Sequence, residues 1–260
     1  MLKKLFIIII AALIATVAYY FLFPDISKLK TVNPKKTSFM EYRESEWQKQ
    51  GKKLKIRQTW VPLAHISPYL MKAVLIGEDD KFWKHEGFDF EAMQKAMEKN
   101  VKAKKFKAGG STISQQLAKN LYLTPSKNPV RKVKEAVLTW RIERILSKKR
   151  ILELYLNVAE WGEGIFGIEA ASRHYYGKPS IALSAEEASR LAAALPNPRK
   201  YIPTGSSRYI ENRSRIIYNI MVRRGIVIPS YNEVTDKAED GMINLETEAP
   251  ENSGSVEDKK

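Results

Sequence analysis

Two short stretches of this chain carry residue types that could do chemistry together. The first, Glu78-Asp79-Asp80-Lys81-Phe82-Trp83-Lys84-His85-Glu86-Gly87, offers carboxylates for proton transfer. The second, Gly109-Gly110-Ser111-Thr112-Ile113-Ser114-Gln115-Gln116-Leu117-Ala118-Lys119-Asn120, offers a glycine loop, hydroxyls, amides and a cation for holding a polar, anionic substrate. Further on, Glu135 is flanked by Arg131, Lys132 and Lys134. Like charges at Asp79 and Asp80 favour proton uptake at Glu78, whereas the three cations keep Glu135 ionised. Environments that differ in this way give one site both a proton-transfer group and a charged partner. The competing reading is a pair of solvated surface carboxylates beside an ordinary capped helix. Against it stands a supply of phosphate ligands in two places, a helix amino terminus at Ser111 with Lys119 and another at Asn128 with Arg131, Lys132 and Lys134. A pyrophosphate fits between such groups.

The elements that must position these groups read as helices. Ser67-Pro68 is a cap followed by proline at the first helical position, and Leu70, Val74 and Leu75 continue that helix toward Glu78. Residues 89 to 106 form an amphipathic stretch. Its Phe90, Met93, Met97 and Phe106 either pack in the core, the preferred reading for Phe90 and Met93, or dip into a membrane interface. The lysine-rich segment 102 to 107 with Gly109-Gly110 reads as a mobile loop. Thr112 and Gln115 have capping-box spacing, which sets Gln115 and Lys119 on one helix face and Gln116 and Asn120 on the next. Asn128-Pro129 opens another helix, with Val130, Val133, Val137 and Trp140 as its expected buried stripe. Ser147 breaks or restarts it before the apolar run Ile151 to Leu156. Gly162, Gly164 and Gly167 mark a turn-rich loop, Ile168 to Tyr176 a helix stopped by Gly177, and Ser184 with Glu187 a capping box opening a helix to Leu195. Pro196, Pro198 and Pro203 impose a rigid loop before a last helix, Tyr209 to Arg224. Strand alternation is lacking, so the expected fold class is mainly α.

With 260 residues and 44% apolar content the chain can bury a real core. It has no cysteine, which excludes a disulfide framework and a thiolate metal site. The net charge of +15 is uneven, because residues 231–260 hold nine acidic residues against three lysines and leave residues 1–230 at +21. Such a body either presents a merely solvated basic surface or associates with polyanions, meaning nucleic acid, anionic lipid or a phosphate-bearing substrate.

Leu5 to Phe23 is a nineteen-residue run without charge, preceded by Lys3 and Lys4, and it has the length of one transmembrane helix. Its end, Tyr19-Tyr20-Phe21-Leu22-Phe23-Pro24, suits a membrane interface better than a cleavage site. The expected orientation puts the amino terminus in the cytoplasm and the following domain outside, since long domains translocate largely regardless of Lys28, Lys30, Lys35 and Lys36. The expected organisation is a tip and anchor at 1–24, a stalk at 25–59, a globular domain at 60–228 and an acidic disordered tail at 229–260.

Six stretches carry a more specific signal. They are Glu78-Asp79-x-x-Phe82-x-x-His85-x-Gly87-x-Asp89, Gly110-Ser111-Thr112-Ile113-Ser114-Gln115-Gln116-Leu117-x-Lys119-Asn120, Arg131-Lys132-x-x-Glu135, Ser147-Lys148-x-x-Ile151-Leu152-Glu153-x-Tyr155-Leu156-Asn157, Gly164-x-x-Gly167-Ile168-x-x-Ala171 and Leu195-Pro196-Asn197-Pro198. In this order they resemble the glycosyltransferase family 51 domain, found in bifunctional penicillin-binding proteins and in monofunctional transglycosylases, over about residues 60 to 225.

The resemblance implies a lysozyme-like, two-lobed helical fold that polymerises lipid II. It casts Glu78 as the general base on the acceptor's sugar 4-hydroxyl, which attacks the anomeric carbon of the lipid-linked growing chain with inversion and releases undecaprenyl diphosphate. It casts Glu135 as the second catalytic carboxylate, orienting cations or helping to hold a divalent ion, magnesium or manganese, at the diphosphate; no organic cofactor is implied. Ser111, Thr112, Gln115, Gln116, Lys119, Asn120, Lys127, Arg131, Lys132 and Lys134 would bind sugar and phosphate oxygens, with Asp79, Phe82 and His85 structural beside the site. Lys127 stands where the family usually has arginine, which keeps the charge and loses the bidentate fork. The little chain that follows the transferase region points to a monofunctional enzyme. Implied partners are lipid II, the growing glycan and inner-membrane lipids, with cell-wall synthesis or division proteins as further candidates and no nucleic acid. Implied localisation is the inner membrane, single-pass, with the domain on the periplasmic face. Two rivals remain open, a glycan-cleaving enzyme of lysozyme type, which also uses a glutamate, and a membrane-anchored scaffold using its basic surface.

Overall fold

The computed structural model describes residues 2–103, 110–125 and 128–228, without the side chains of residues 2, 5, 13, 16, 17, 100 and 103. Of the loop expected at 102–107 with Gly109-Gly110, residues 102 and 103 belong to a helix and 104–109 lie outside the described residues, as do Phe106, Lys127 and the acidic tail. The described residues up to 220 form one compact unit, and those from 221 to 228 are a second group that closes the last helix and turns at Gly225 with φ of +66°.

The mainly α expectation holds. Helices α1 (Leu2–Leu22), α2 (Ser38–Lys49), α3 (Pro68–Glu78), α4 (Phe90–Ala103), α5 (Ile113–Tyr122), α6 (Pro129–Ile145), α7 (Lys148–Val158), α8 (Ile168–Tyr176), α9 (Ala185–Ala194) and α10 (Arg208–Arg223) are joined by one small sheet. In that sheet β3 (Ile165–Phe166) lies between β1 (Arg57–Gln58), which it pairs in parallel, and β2 (Glu160–Gly162), which it pairs antiparallel. Helix ends fall where local signals put them. Thr112 with Gln115 and Ser184 with Glu187 form reciprocal capping boxes, Asn128 caps α6 ahead of Pro129, Ser147 caps α7, and Gly177 ends α8 at φ +68°. Ser67 is the exception, since its hydroxyl donates to the Leu183 carbonyl oxygen at 2.9 Å and so ties the start of α3 to the segment before α9.

Two packed groups build the core. Helices α3 and α9 meet through Leu70, Ala73 and Val74 against Ala188, Leu191 and Ala192, all buried. Helix α5 packs on α6 and α7 through Leu117, Ala118, Leu138, Ile142, Ile151 and Leu154. The stripe expected on α6 is turned outward at Val130, Val133 and Trp140, which are 37%, 39% and 43% exposed, while Val137 is half-buried. The buried face instead carries Glu135, Leu138, Thr139, Arg141 and Ile142, because paired and hydrogen-bonded polar groups accompany the apolar ones inward. On α4, Phe90 is 74% and Met97 63% exposed, so Phe90 is not core; Met93 is half-buried.

Residues 25–59, expected as a stalk, contain α2 and β1, and Met40 and Trp47 bury themselves against Phe166. Helix α1 packs along α6, where the Phe21 and Trp140 rings lie 5.4 Å apart and Arg141 donates to the Tyr20 carbonyl oxygen at 2.9 Å. Among the described residues no helix is long and apolar enough to cross a membrane, the side chains of residues 2, 5, 13, 16 and 17 of α1 lying outside that set.

Asn157, fully buried near the end of α7, fixes the sheet against the helices. Its amide accepts from the Val61 N–H at 2.9 Å and donates to the carbonyl oxygens of Val61 at 2.9 Å and Glu153 at 2.8 Å. Its own carbonyl oxygen sits so close to Gly167, φ +78°, that a Cβ there would stand 2.7 Å away. We expect Asn157→Ala, which strands these groups, to lower the unfolding free energy by about 3 kcal/mol in urea titration; a loss below about 1 kcal/mol would mean the amide is not a structural tie.

Candidate active site

Helix α3 delivers Glu78 as its last residue, and the chain then leaves the helix at Asp79. Asp79 is buried and brackets two segments: Oδ2 accepts from the Ile113 N–H at 2.9 Å, at the start of α5, and the carboxylate lies 2.9 Å from His85 Nε2. The Gly87 N–H donates to His85 Nδ1 at 3.0 Å, which leaves Nε2 as the nitrogen that carries the proton toward Asp79. Phe82, fully buried, fills the turn between them beneath the Lys148 ammonium. Asp79, Phe82 and His85 thus hold the end of α3 against the start of α5.

A cavity of about 360 Å³ opens beside Glu78, lined among others by Ser111, Gln116, Lys119, Asn120, Tyr155 and Asn197. A second cavity of about 250 Å³, lined by Asp80, Asp89, Gly110 and Thr112, also has Glu78 and Ser111 in its wall. The carboxylate therefore stands at the junction of two hollows. Its Oε2 accepts from Gln116 Nε2 at 2.9 Å, and the buried Tyr155 hydroxyl donates to Gln116 Oε1 at 3.0 Å. The phenol thereby fixes which end of the amide faces Glu78. Burial pushes the Glu78 carboxyl above its ordinary value, opposed by the Gln116 hydrogen bond and by the charges of Arg213 and Lys119; Asp79 adds only a small upward push. The direction is the one expected from the sequence, and the cause is burial more than neighbouring acids. Burial also lowers Lys119, opposed by Glu135 and Glu78, and raises the Tyr155 phenol well above its usual range.

Of the residues expected to bind substrate, Ser111, Gln116, Lys119 and Asn120 share the larger cavity with Glu78. Thr112 Oγ1 and Gln115 Oε1 are committed to the helix cap and both residues are buried. Thr112 also donates to the Gly87 carbonyl oxygen at 2.7 Å. Arg131 and Lys134 line a separate hollow of about 450 Å³ with Tyr20, Tyr42 and Tyr122, so the expected single cradle is divided between two cavities. Glu135, 3% exposed, accepts from Arg131 on one oxygen at 2.8 Å and from Lys132 on the other, and it is absent from the lining of either cavity beside Glu78. Both Glu135 oxygens are engaged by cations, and no group of three or more metal-ligating side chains occurs among the described residues.

Four residues of this site were not singled out from the sequence. Arg43 of α2 forks onto the buried Glu160 through Nε at 3.0 Å and NH2 at 2.8 Å, and both line the larger cavity. Burial raises the Glu160 carboxyl against the pull of Arg43. Arg213 of α10 reaches Glu78 Oε1 at 3.5 Å. Tyr155 lies within one of the six quoted stretches, whereas nothing local marks Arg43, Glu160 or Arg213.

Fold and cleft define a helical protein that sets two carboxylates, Glu78 and the buried Glu160, with amides and the cations Arg43 and Lys119 around one polar hollow. The sequence matches the family described as Transglycosylase over residues 46–222. Curated relatives named biosynthetic peptidoglycan transglycosylase include one from Dechloromonas aromatica (strain RCB), 52% identical over 72% of this chain and 80% of its own length. Another from Nitrosospira multiformis is 44% identical over 86% of this chain and 96% of its own length, and one from Azoarcus sp. (strain BH72) is 51% identical over 75% and 84%. The chain belongs to the transglycosylase family, whose members are glycosyltransferases.

Because burial raises Glu78, the folded state holds this proton more tightly than the unfolded chain. The stability carried by the protonated form is complete below the ordinary value of 4.5 and is lost as pH rises through the folded value. Glu78→Gln should therefore melt at a higher temperature than the wild type at pH 7, with the gap closing toward pH 4. Thermal scans showing no gap at pH 7, or one that widens on acidification, would contradict the burial account.

Proposed function

We propose that this chain is a peptidoglycan glycosyltransferase that polymerises lipid II into glycan strands, on a lysozyme-like helical frame. The observation that carries the reading is Glu78, 11% exposed between two hollows, accepting from Gln116 and sharing one hollow with Lys119. Two sugar substrates meeting at one proton acceptor need that arrangement. The 4-hydroxyl of the acceptor's N-acetylglucosamine loses its proton to Glu78 while its oxygen bonds to the anomeric carbon of the lipid-linked chain. The opposite bond to the diphosphate breaks, inverting the centre, and undecaprenyl diphosphate departs with the electron pair.

Negative charge accumulates on that leaving group, so preorganised cations lower the barrier. Lys119 supplies one inside the cleft, and Arg131 and Lys134 supply two in the separate hollow, the first steadied by Glu135. Ser111, Gln116 and Asn120 would hold sugar and phosphate oxygens. No step is routed through a metal ion.

For the membrane anchor, support comes from length and sequence. Helix α1 has 21 residues, about 30 Å at the rise of an α-helix, and Leu5 to Leu22 carries no charge. An enzyme anchored in the inner membrane with its domain on the outer face would search for a lipid-linked substrate in two dimensions. The basic body of the chain suits anionic lipid and diphosphate alike.

Incubation of the full chain with lipid II, and separately with polymeric glycan, tests the reading: growth of polymer supports it, shortened strands favour the lysozyme-type rival. Glu78→Gln should reduce polymer formation by about a thousandfold, the scale of a lost general base, while lipid II still binds; turnover near wild type would remove Glu78 from the role. Lys119→Ala should weaken binding and turnover together, and unchanged kinetics would take Lys119 out of the phosphate contacts. Repeating the assay with a chelator shows whether the diphosphate brings a divalent ion of its own.

A further inference from the structure

Arg213 comes to the catalytic carboxylate from far along the chain. Its NH2 group lies 2.9 Å from the Gly77 carbonyl oxygen and 3.5 Å from Glu78 Oε1, the oxygen that Gln116 leaves free. Its Nε is buried without a hydrogen-bond partner. A side chain serving only to close the end of α3 would need the carbonyl contact alone, and a buried unpaired N–H costs stability. Packing is therefore a poor reason for this placement.

The titratable and charged groups facing Glu78 are Lys119 from α5, Asp79 beside it, Tyr155 from α7, and Tyr209 and Arg213 from α10. Two of them are cations. The ammonium of Lys119 is disfavoured by its own burial, whereas a guanidinium keeps its charge throughout the working pH range.

We propose that Arg213 is a positioning residue for glycosyl transfer: its permanent charge keeps Glu78 ionised and its shared NH2 group fixes Oε1 at the end of α3, ready for the acceptor's proton. The role acts through Glu78, without contact to substrate, and rests on Glu78 being the base. Bond making and breaking are those of the transfer above, and Arg213 gains or loses no atom in it.

The test compares pH–rate profiles of lipid II polymerisation for wild type, Arg213→Gln and Arg213→Lys. Arg213→Gln should move the acid limb upward by about one pH unit, which lowers kcat about tenfold on that limb, with KM within about twofold and activity regained at alkaline pH. Arg213→Lys, which keeps the charge, should restore most of the loss. An unshifted limb with kcat reduced equally at every pH would reduce Arg213 to a structural cap and overturn the proposal, as would a raised KM with unchanged kcat.

A second measurement needs no turnover. The melting-temperature gap between each protein and its Glu78→Gln counterpart should widen at pH 7 when Arg213 is replaced by Gln, and an unchanged gap overturns the proposal even if the variant is less stable. If wild type makes no polymer, the functional reading fails; the gap still reports separately whether Arg213 and Glu78 are coupled.

Discussion

A carboxylate drawn out of water at the end of a helix is the constraint around which the rest of this protein is arranged. Left alone there, Glu78 would take up a proton and be useless as an acceptor at neutral pH. The fold answers with one neutral donor and two cations from two different helices, α5 and α10. Gln116 can donate only because Tyr155 occupies its oxygen, and Tyr155 is held by burial in α7. The helix pairs that build the core, α3 with α9 and α5 with α7, are thus also what brings the base and its donor together.

A different treatment is given to the other two carboxylates nearby. Asp79 spends its oxygens on a backbone N–H and an imidazole, so it serves geometry. Glu135 spends its oxygens on Arg131 and Lys132, so it serves the cations. Three acids of similar intrinsic strength divide into acceptor, bracket and counter-ion according to what their oxygens meet.

Much of this was legible in the sequence, because much of it is local. Caps at Thr112, Asn128, Ser147 and Ser184, the stop at Gly177 and the fold class follow from neighbours a few residues apart. The outward turn of α6 was not legible, since counting apolar positions at helical spacing overlooks Glu135, Thr139 and Arg141, which are buried by virtue of partners that spacing does not reveal. Met40 and Trp47 stand seven apart on α2, a spacing that could have marked a buried face within the supposed stalk. For Arg43, Glu160 and Arg213 no such signal exists: their contacts join residues more than a hundred positions apart, and only the folded chain brings them to the cleft.

Gly110 leads into the cleft wall at a point where an added Cβ would come within 2.9 Å of the Met93 Cα and 3.3 Å of the Ala96 Cβ, so the approach to α5 lies directly against α4. Helix α4 also bears Phe90 and Met97, two of the most exposed apolar side chains in the described chain. A surface that tilts α4 by pulling on those side chains would push, without any compliant padding, on Ser111 at the rim shared by both hollows. Helix α4 is thereby a lever on the opening through which substrates would meet.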